Sequence, residues 1–381
     1  MSSLTITERI QSDLPELLRL LEESVNMDSP SKCKELNDTM AQWYARQFTR
    51  LTGGHVETVK HPVAGDRLLC HLGDGPKQVL LVGHYDTVWP IGEAGRRPFR
   101  IENGNAYGPG VYDMKAGLLQ AIFALKALVE SGRFPTDKRV TLLINSDEEI
   151  GSPTSRELIE QAAREAAAAF VLEPPMEPTG ALKTARKGSG RYKLTVKGIS
   201  AHAGVNPQNG VSAIEELACQ IQRLHAITDH ARGTTVNVGT VHGGIGSNVV
   251  ADHAEAEIDV RVATSEEAER IDAELAALTP FLPNAVLTVT GGMTRPPMER
   301  TEATEALYAL AREIARTELA LHVEQTSTGG VSDGNFIAAV GTPTLDGLGA
   351  RGDHAHSPLE YIRIAEIPAR AALLARLIES C

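Results

Sequence analysis

Between residues 66 and 185, short apolar runs alternate with longer amphipathic stretches, and this alternation restricts the fold more than any other feature of the chain. "KQVLLVG", "RVTLLINS" and "AAFVLEP" are rich in strand-favouring residues, whereas "DMKAGLLQAIFALKALVESG" and "TSRELIEQAAREA" have helical length and spacing. Strands separated by helices pair in parallel, because a parallel return needs a long crossover. The expected fold class is therefore α/β, a mostly parallel sheet with helices on both faces.

From residue 187 the rhythm changes. "RYKLTVKGI" reads as a strand, and Ile214, Leu217, Ala218, Ile221 and Leu224 mark a helix. "TTVNVGTVHGG" and "HAEAEIDVRVA" follow as strands, "EEAERIDAELAAL" as a helix and "AVLTVTGG" as a last strand. A β-α-β-β-α-β order is the ferredoxin-like split motif. The chain thus divides into residues 1–186, an inserted α+β domain at 187–296, and residues 297–381, whose helix, strand and final helix complete the first domain. A length of 381 residues, beyond the usual reach of one hydrophobic core, agrees with two domains.

Hydrophobic residues make up 42% of the chain, yet no apolar run approaches the ~18 residues of a membrane span. Near the start, Ile10, Leu14, Leu17, Leu18, Leu21 and Val25 recur at helical spacing, which predicts an amphipathic helix rather than a signal peptide. Cys33, Cys70, Cys219 and Cys381 are scattered without a C-x-x-C pair, so a disulfide framework is not indicated and a cytoplasmic location is expected. A formal charge of −12 without a Lys/Arg block argues against a nucleic-acid partner. It does not argue against an anionic small substrate, because bound metal ions make an acidic protein locally positive.

Each strand of the first domain is followed by an acid or a histidine, at the end where open parallel sheets build their ligand crevice. In "VLLVGHYDTV", Gly83 interrupts the apolar run where the strand should leave the core. His84 and Asp86 then share one side of the extended chain, the spacing of a metal-binding imidazole held by a neighbouring acid. "AYGPGVYDMKAG" carries Asp113, "TLLINSDEEIGS" carries Asp147, Glu148 and Glu149, and "FVLEP" ends in Glu173. Singly, these have ordinary readings as helix cap, solvated turn and loop acid; together they define a site. Oxygen ligands plus imidazole suit Zn²⁺, Co²⁺ or Mn²⁺, and bridging carboxylates suit two ions about 3.5–4 Å apart. A further histidine is offered by "GLGARGDHAHSPLEYI", as His354 or His356.

In these blocks, together with "KGSGRYKLTVKGISAHAG", "GGIGSNVVADHAEAEIDVR" and "GGVSDGN", the sequence resembles the M20 family of metallopeptidases over nearly its whole length. The resemblance implies a zinc-peptidase-like fold, with residues 187–296 as a lid and dimerisation domain. It implies two zinc ions bridged by Asp113, with His84 and Glu173 completing one site and Glu149 and His356 the other. Glu148 would be the general base and Asp86 the acid that orients His84. His202 would reach the scissile carbonyl, Asn248 and Arg261 would hold the substrate's terminal carboxylate, and Gly330, Ser332 and Asp333 would line the substrate end. A cis Asp113–Met114 peptide and a homodimer through the lid are implied as well. Pro109 in "GPG" stands where many members have arginine and favours the glutamate carboxypeptidase branch.

The expected activity is amide hydrolysis of a small peptide or N-acyl amino acid that releases a C-terminal amino acid, glutamate favoured. Deacylation of N-acyl amino acids and dipeptide hydrolysis are the alternatives. A metal-free binding protein on the same fold would lack a ligand or Glu148, and neither is missing.

Overall fold

The computed structural model describes residues 4–381. The chain forms two compact units: residues up to Ala185 with Arg300–Ser327 and Ser332–Cys381, and Arg186–Glu299 with Thr328–Val331.

In the large unit the apolar runs form a six-stranded sheet. Its strand order is His55–Val59, Arg67–Leu72, Lys138–Asn145, Lys77–His84, Ala166–Val171, Thr344–Leu345. The last four strands run parallel. The first two pair antiparallel at one edge; His55–Val59 lies before the alternating region, and the exposed "HVETV" has no apolar pattern to mark it.

Alternation along the strands sends side chains to two cores. Val79, Leu81, Leu142 and Phe170 pack in the larger core, with the helices Ile6–Val25, Lys34–Thr52, Ala116–Glu130 and Ile367–Ser380. Leu80, Val82, Leu143, Ala169 and Val171 turn to the other face, against Ile159 and Ala163 of Arg156–Arg164 and Phe336 and Ile337 of Gly334–Ala339. Burial on both faces explains why these strands read as unbroken apolar runs. The first helix buries Ile10, Leu17, Leu21 and Val25 and starts at a capping box. There the Thr5 hydroxyl accepts from the Glu8 amide at 3.2 Å, and the Glu8 carboxylate accepts from the Thr5 amide at 2.8 Å.

One local expectation is corrected. The strand does not leave the core at Gly83 but runs on through His84. A Cβ at Gly83 would stand 2.7 Å from Leu118 and 2.8 Å from Met114, so the glycine admits the segment that carries Asp113.

A second, four-stranded sheet of the large unit has the order Gly352–Asp353, Tyr361–Arg363, Asn105–Tyr107, Arg100–Glu102. Its pairing of Tyr361 with Tyr107 brings the loop of His354 and His356 beside the Gly108–Gly110 turn.

The small unit is an antiparallel sheet in the order Thr235–Gly243, His253–Val262, Gly188–Lys197, Val286–Arg295. The helices Ala213–His225 and Ser265–Ala276 cover one face through Leu217, Leu224, Ile271 and Leu275. This is the split β-α-β-β-α-β arrangement. No helix among the described residues is long and apolar enough to cross a membrane.

Leu81 is fully buried in the central strand, so Leu81→Ala should destabilise the protein by about 2–5 kcal/mol in urea unfolding. A change below about 0.5 kcal/mol, the range of surface substitutions, would contradict close packing around this strand.

Candidate metal centre

The register of the parallel strands fixes where the site lies. His84 pairs with Asn145 and Val82 with Val171, so three neighbouring strands end nearly level. At and just past these ends come His84 and Asp86, then Asp147 to Glu149, then Glu173. Asp147 is buried and accepts from the Thr154 amide at 2.7 Å, the Thr154 hydroxyl at 2.8 Å and the Ser155 hydroxyl. These bonds tie residues 147–155 into a compact turn and leave Glu148 and Glu149 on a short 3₁₀ turn facing the centre.

Asp86, fully buried, accepts from the Ser31 hydroxyl at 2.6 Å and from the amides of Glu148 at 3.2 Å and Glu149 at 3.3 Å. The Nδ1–H of His84 donates to the Asp86 backbone carbonyl at 3.0 Å, while the Asp86 carboxylate is 3.4 Å from the same nitrogen. The His84 ring is thus oriented mainly by the carbonyl. The carboxylate's larger task is to hold the backbone of the two glutamates.

With Nδ1 donating to a carbonyl, Nε2 of His84 is the nitrogen left for a ligand. It lies 3.3 Å from an Asp113 oxygen and 3.5 Å from a Glu173 oxygen. Nε2 of His356 lies 3.3 Å from the other Asp113 oxygen and 3.1 Å from Glu149. Charge-assisted N–H···O bonds are shorter, about 2.7–2.9 Å. Ligand atoms around a tetrahedral zinc with bonds of about 2.0–2.1 Å stand about 3.3–3.4 Å apart, which matches the observed set. His84 Nε2, Asp113 Oδ1 and Glu149 Oε1 are also buried without a hydrogen-bond partner. His84, Asp113 and Glu149 form one group whose ligand atoms lie within 4.8 Å of one another, and His84, Glu148 and Glu173 form another. The residues therefore fit divalent cations, with Asp113 facing both histidines. Asp113–Met114 is a cis peptide.

The electrostatics agree. Interactions with Asp113 and Glu149 push His356 up to about 11. Burial disfavours a charged His84, but the carboxylates of Asp113, Asp86 and Glu173 outweigh it and hold the imidazole well above its usual range. Burial, with the Asp113 charge beside it, raises Glu149 to about 7. The protein's own groups leave excess negative charge at this centre, which divalent ions would neutralise. Three carboxylates against two such ions leave one positive charge in excess.

The remaining expected residues lie as follows. His354 packs near the Tyr361 ring instead of the carboxylates. In the small unit His202 and Asn248 are neighbours, with the Ala203 amide donating to the Asn248 carbonyl at 2.9 Å, and both residues are exposed. Arg261 makes two bonds to Asp259 of its own strand, at 2.9 and 3.1 Å, and reaches the Gly329 carbonyl at 3.5 Å. The Gly330 carbonyl accepts from Arg186 at 3.1 Å. Ser332 belongs to the large unit, is fully buried, and donates to Asp346 at 2.6 Å, so its hydroxyl presents no open face to a substrate. Asp333, also buried, accepts from Asn145 and from the Ser152 hydroxyl. Asp147 lies within the acidic run that the sequence marks as part of the site, whereas Glu360 carries no signal beyond its place in the "SPLE" run after His356.

An α/β sheet with two histidines and a set of carboxylates converging past its strand ends defines a metal-dependent hydrolase. Residues 80–380 match "Peptidase family M20/M25/M40", and the chain belongs to that family, an enzyme family of metallopeptidases and amidohydrolases that bind divalent metal ions. It is 32% identical over 374 residues to carboxypeptidase G2 of Pseudomonas sp. strain RS-16, covering 96% of this chain and 89% of the relative. It is 29% identical to succinyl-diaminopimelate desuccinylase of Delftia acidovorans, over 77% of this chain and 80% of that one. Aminopeptidase PepT from Bacillus cereus has the same fold, with a TM-score of 0.79 at 24% identity, covering 96% of this chain and 98% of the other.

Ions that bind the folded centre and not the unfolded chain stabilise by about 2.7 kcal/mol at a hundredfold excess over the dissociation constant. Chelator-treated protein should therefore melt several degrees below protein resupplied with zinc. Identical melting curves would contradict a metal centre.

Proposed function

We propose that the chain is a dinuclear zinc hydrolase that cleaves the amide bond of a peptide or N-acyl amino acid and releases a C-terminal amino acid, with glutamate favoured. The observation that carries this reading is Asp113, whose two oxygens each lie 3.3 Å from a different histidine. Cobalt or manganese would suit the same donors. Bound there, two divalent ions would polarise the amide carbonyl and lower the pKa of a water. Glu148, adjacent to Glu149, takes a proton from the attacking water and returns it to the leaving nitrogen. The Asp86 carboxylate holds the Glu148 amide and so fixes that base in place.

The leaving group is assigned by resemblance. Carboxypeptidase G2 is matched over 96% of this chain and 89% of its own length, and Arg261 and Asn248 of the small unit are assigned to the released amino acid's carboxylate, with His202 assigned to the scissile carbonyl. A carboxylate bound by Arg261 would compete with Asp259 for the guanidinium. On the acyl side, a cavity of about 400 Å³ opens beside Asp113 and Glu173, walled by Tyr112, Pro174, Pro175 and Met176. Its size suits an acyl group larger than a single residue's side chain, and Glu177, Lys183, Asp353 and Arg363 in the same lining make its walls mixed in polarity. Desuccinylation of an N-acyl amino acid is the second reading, favoured by the Delftia relative.

A homodimer and a cytoplasmic location complete the proposal. The strand Thr235–Gly243 is an edge of its sheet, and exposed Val241, Ile214 and Ile245 lie along it and near it, a surface that pairing with a second copy would cover. Sedimentation at micromolar concentration should show a dimer; monomer alone would contradict this part.

Glu148→Gln tests the mechanism. Glutamine keeps the side chain's size but cannot accept the proton, so turnover should fall by about two orders of magnitude or more with zinc content unchanged. Loss of zinc in this variant would mean that Glu148 is a ligand, and full activity would overturn the mechanism.

A further inference from the structure

Glu360 follows His356 by four residues and is only 1% exposed. Its carboxylate collects four N–H donors. Oε1 accepts from the amides of Tyr112 at 2.9 Å and Asp113 at 3.1 Å, and Oε2 accepts from the Gly110 amide at 3.0 Å and the Trp89 indole at 3.2 Å. The backbone can offer these amides because Gly110 has a positive φ of 73°, which aims successive N–H groups at one point, an anion-binding nest. Nothing in the proposed chemistry uses this carboxylate.

We propose that Glu360 is a positioning residue of the metal centre. Its side chain bonds the amide of Asp113, whose carboxylate faces both histidines, and its backbone belongs to the short loop that carries His356. One buried carboxylate therefore sets the distance between two ligands that come from segments some 240 residues apart in sequence. Trp89 braces it from a third segment. The neighbouring Arg97 guanidinium lies 4.2 Å from the Trp89 ring centre and donates to the Pro358 carbonyl at 3.2 Å, so the same loop is held twice.

Glutamine at this position tests the idea because its amide has one oxygen and one NH₂. Whichever way it turns, the NH₂ faces two N–H donors, so two of the four bonds become repulsive while shape and volume are kept. Groups that orient metal ligands typically account for about 10- to 100-fold in metal affinity.

The inference rests on the two-ion reading above, and zinc affinity measured on the metal-free full chain by chelator competition separates the two. Glu360→Gln should bind zinc about 10- to 100-fold more weakly than wild type. The metal-free variant should melt below metal-free wild type, because two buried N–H donors lose their acceptor, but the zinc-loaded pair should differ by more, and excess zinc should restore most of the turnover with KM unchanged. Trp89→Phe, which removes one of the four donors, should weaken zinc binding in the same direction by a smaller factor, and it decides the matter alone if Glu360→Gln does not fold. Wild-type zinc affinity in the folded variants would overturn the proposal, as would a metal-free melting temperature lowered as much as the loaded one, which marks general support of the fold. A wild-type chain that binds no zinc would overturn this inference and the two-ion reading together.

Discussion

Three parallel strands end side by side, and the chain must place whatever follows them in one small region. His84 with Asp86, Glu148 with Glu149, and Glu173 are neighbours in space because Lys77–His84 lies between Lys138–Asn145 and Ala166–Val171. The fourth contributor, Asp113, arrives from the crossover that follows the central strand, where Gly83 leaves room for Met114 and Leu118. The sheet supplies the proximity; buried acids that are not ligands supply the geometry. Asp86 holds the backbone of the two glutamates, Asp147 folds the turn that presents them, and Glu360 gathers the amides around Asp113.

Such a collection of acids is unfavourable by itself. Like charges about 4 Å apart repel by about 1 kcal/mol in water and by about 4 kcal/mol at the effective dielectric of a protein surface. Burial adds to this and raises Glu149 to about 7, while the surrounding carboxylates, against the opposing effect of burial, drive both histidines towards the protonated form. Ligand atoms at 3.1–3.5 Å, several of them buried without a hydrogen-bond partner, are a poor salt-bridge network and a good coordination sphere. The arrangement is one that cations complete.

Much of this was legible in the sequence, for identifiable reasons. Strands buried on both faces are continuous apolar runs, so "VLLV" and "TLLI" announce themselves, and each is followed by its acids. The edge strand "HVETV" was not legible, because an exposed strand of mixed residues carries no period to read. The extension of the central strand through His84 escaped notice since a glycine admitted for close packing looks the same as one that ends a strand. Among the polar residues, those whose side chains face the centre were found from the pattern and the family resemblance. Asp86 and Asp147, which hold backbone amides, lie in blocks that the sequence marks, whereas Glu360 acts on Gly110 to Asp113 from 250 residues away, and no local spacing encodes that contact. Ser332 shows the converse: its place in "GGVSDGN" suggested a substrate contact, yet its hydroxyl is buried against Asp346.

In the proposed mechanism Asp113 is shared between two ions. Anomalous diffraction at the zinc edge from metal-loaded crystals locates the ions without reference to activity. Two peaks about 3.5–4 Å apart are expected, one beside His84 and Glu173, the other beside His356 and Glu149, with Asp113 reaching both. A single peak in fully loaded crystals, or two peaks of which only one touches Asp113, would contradict it.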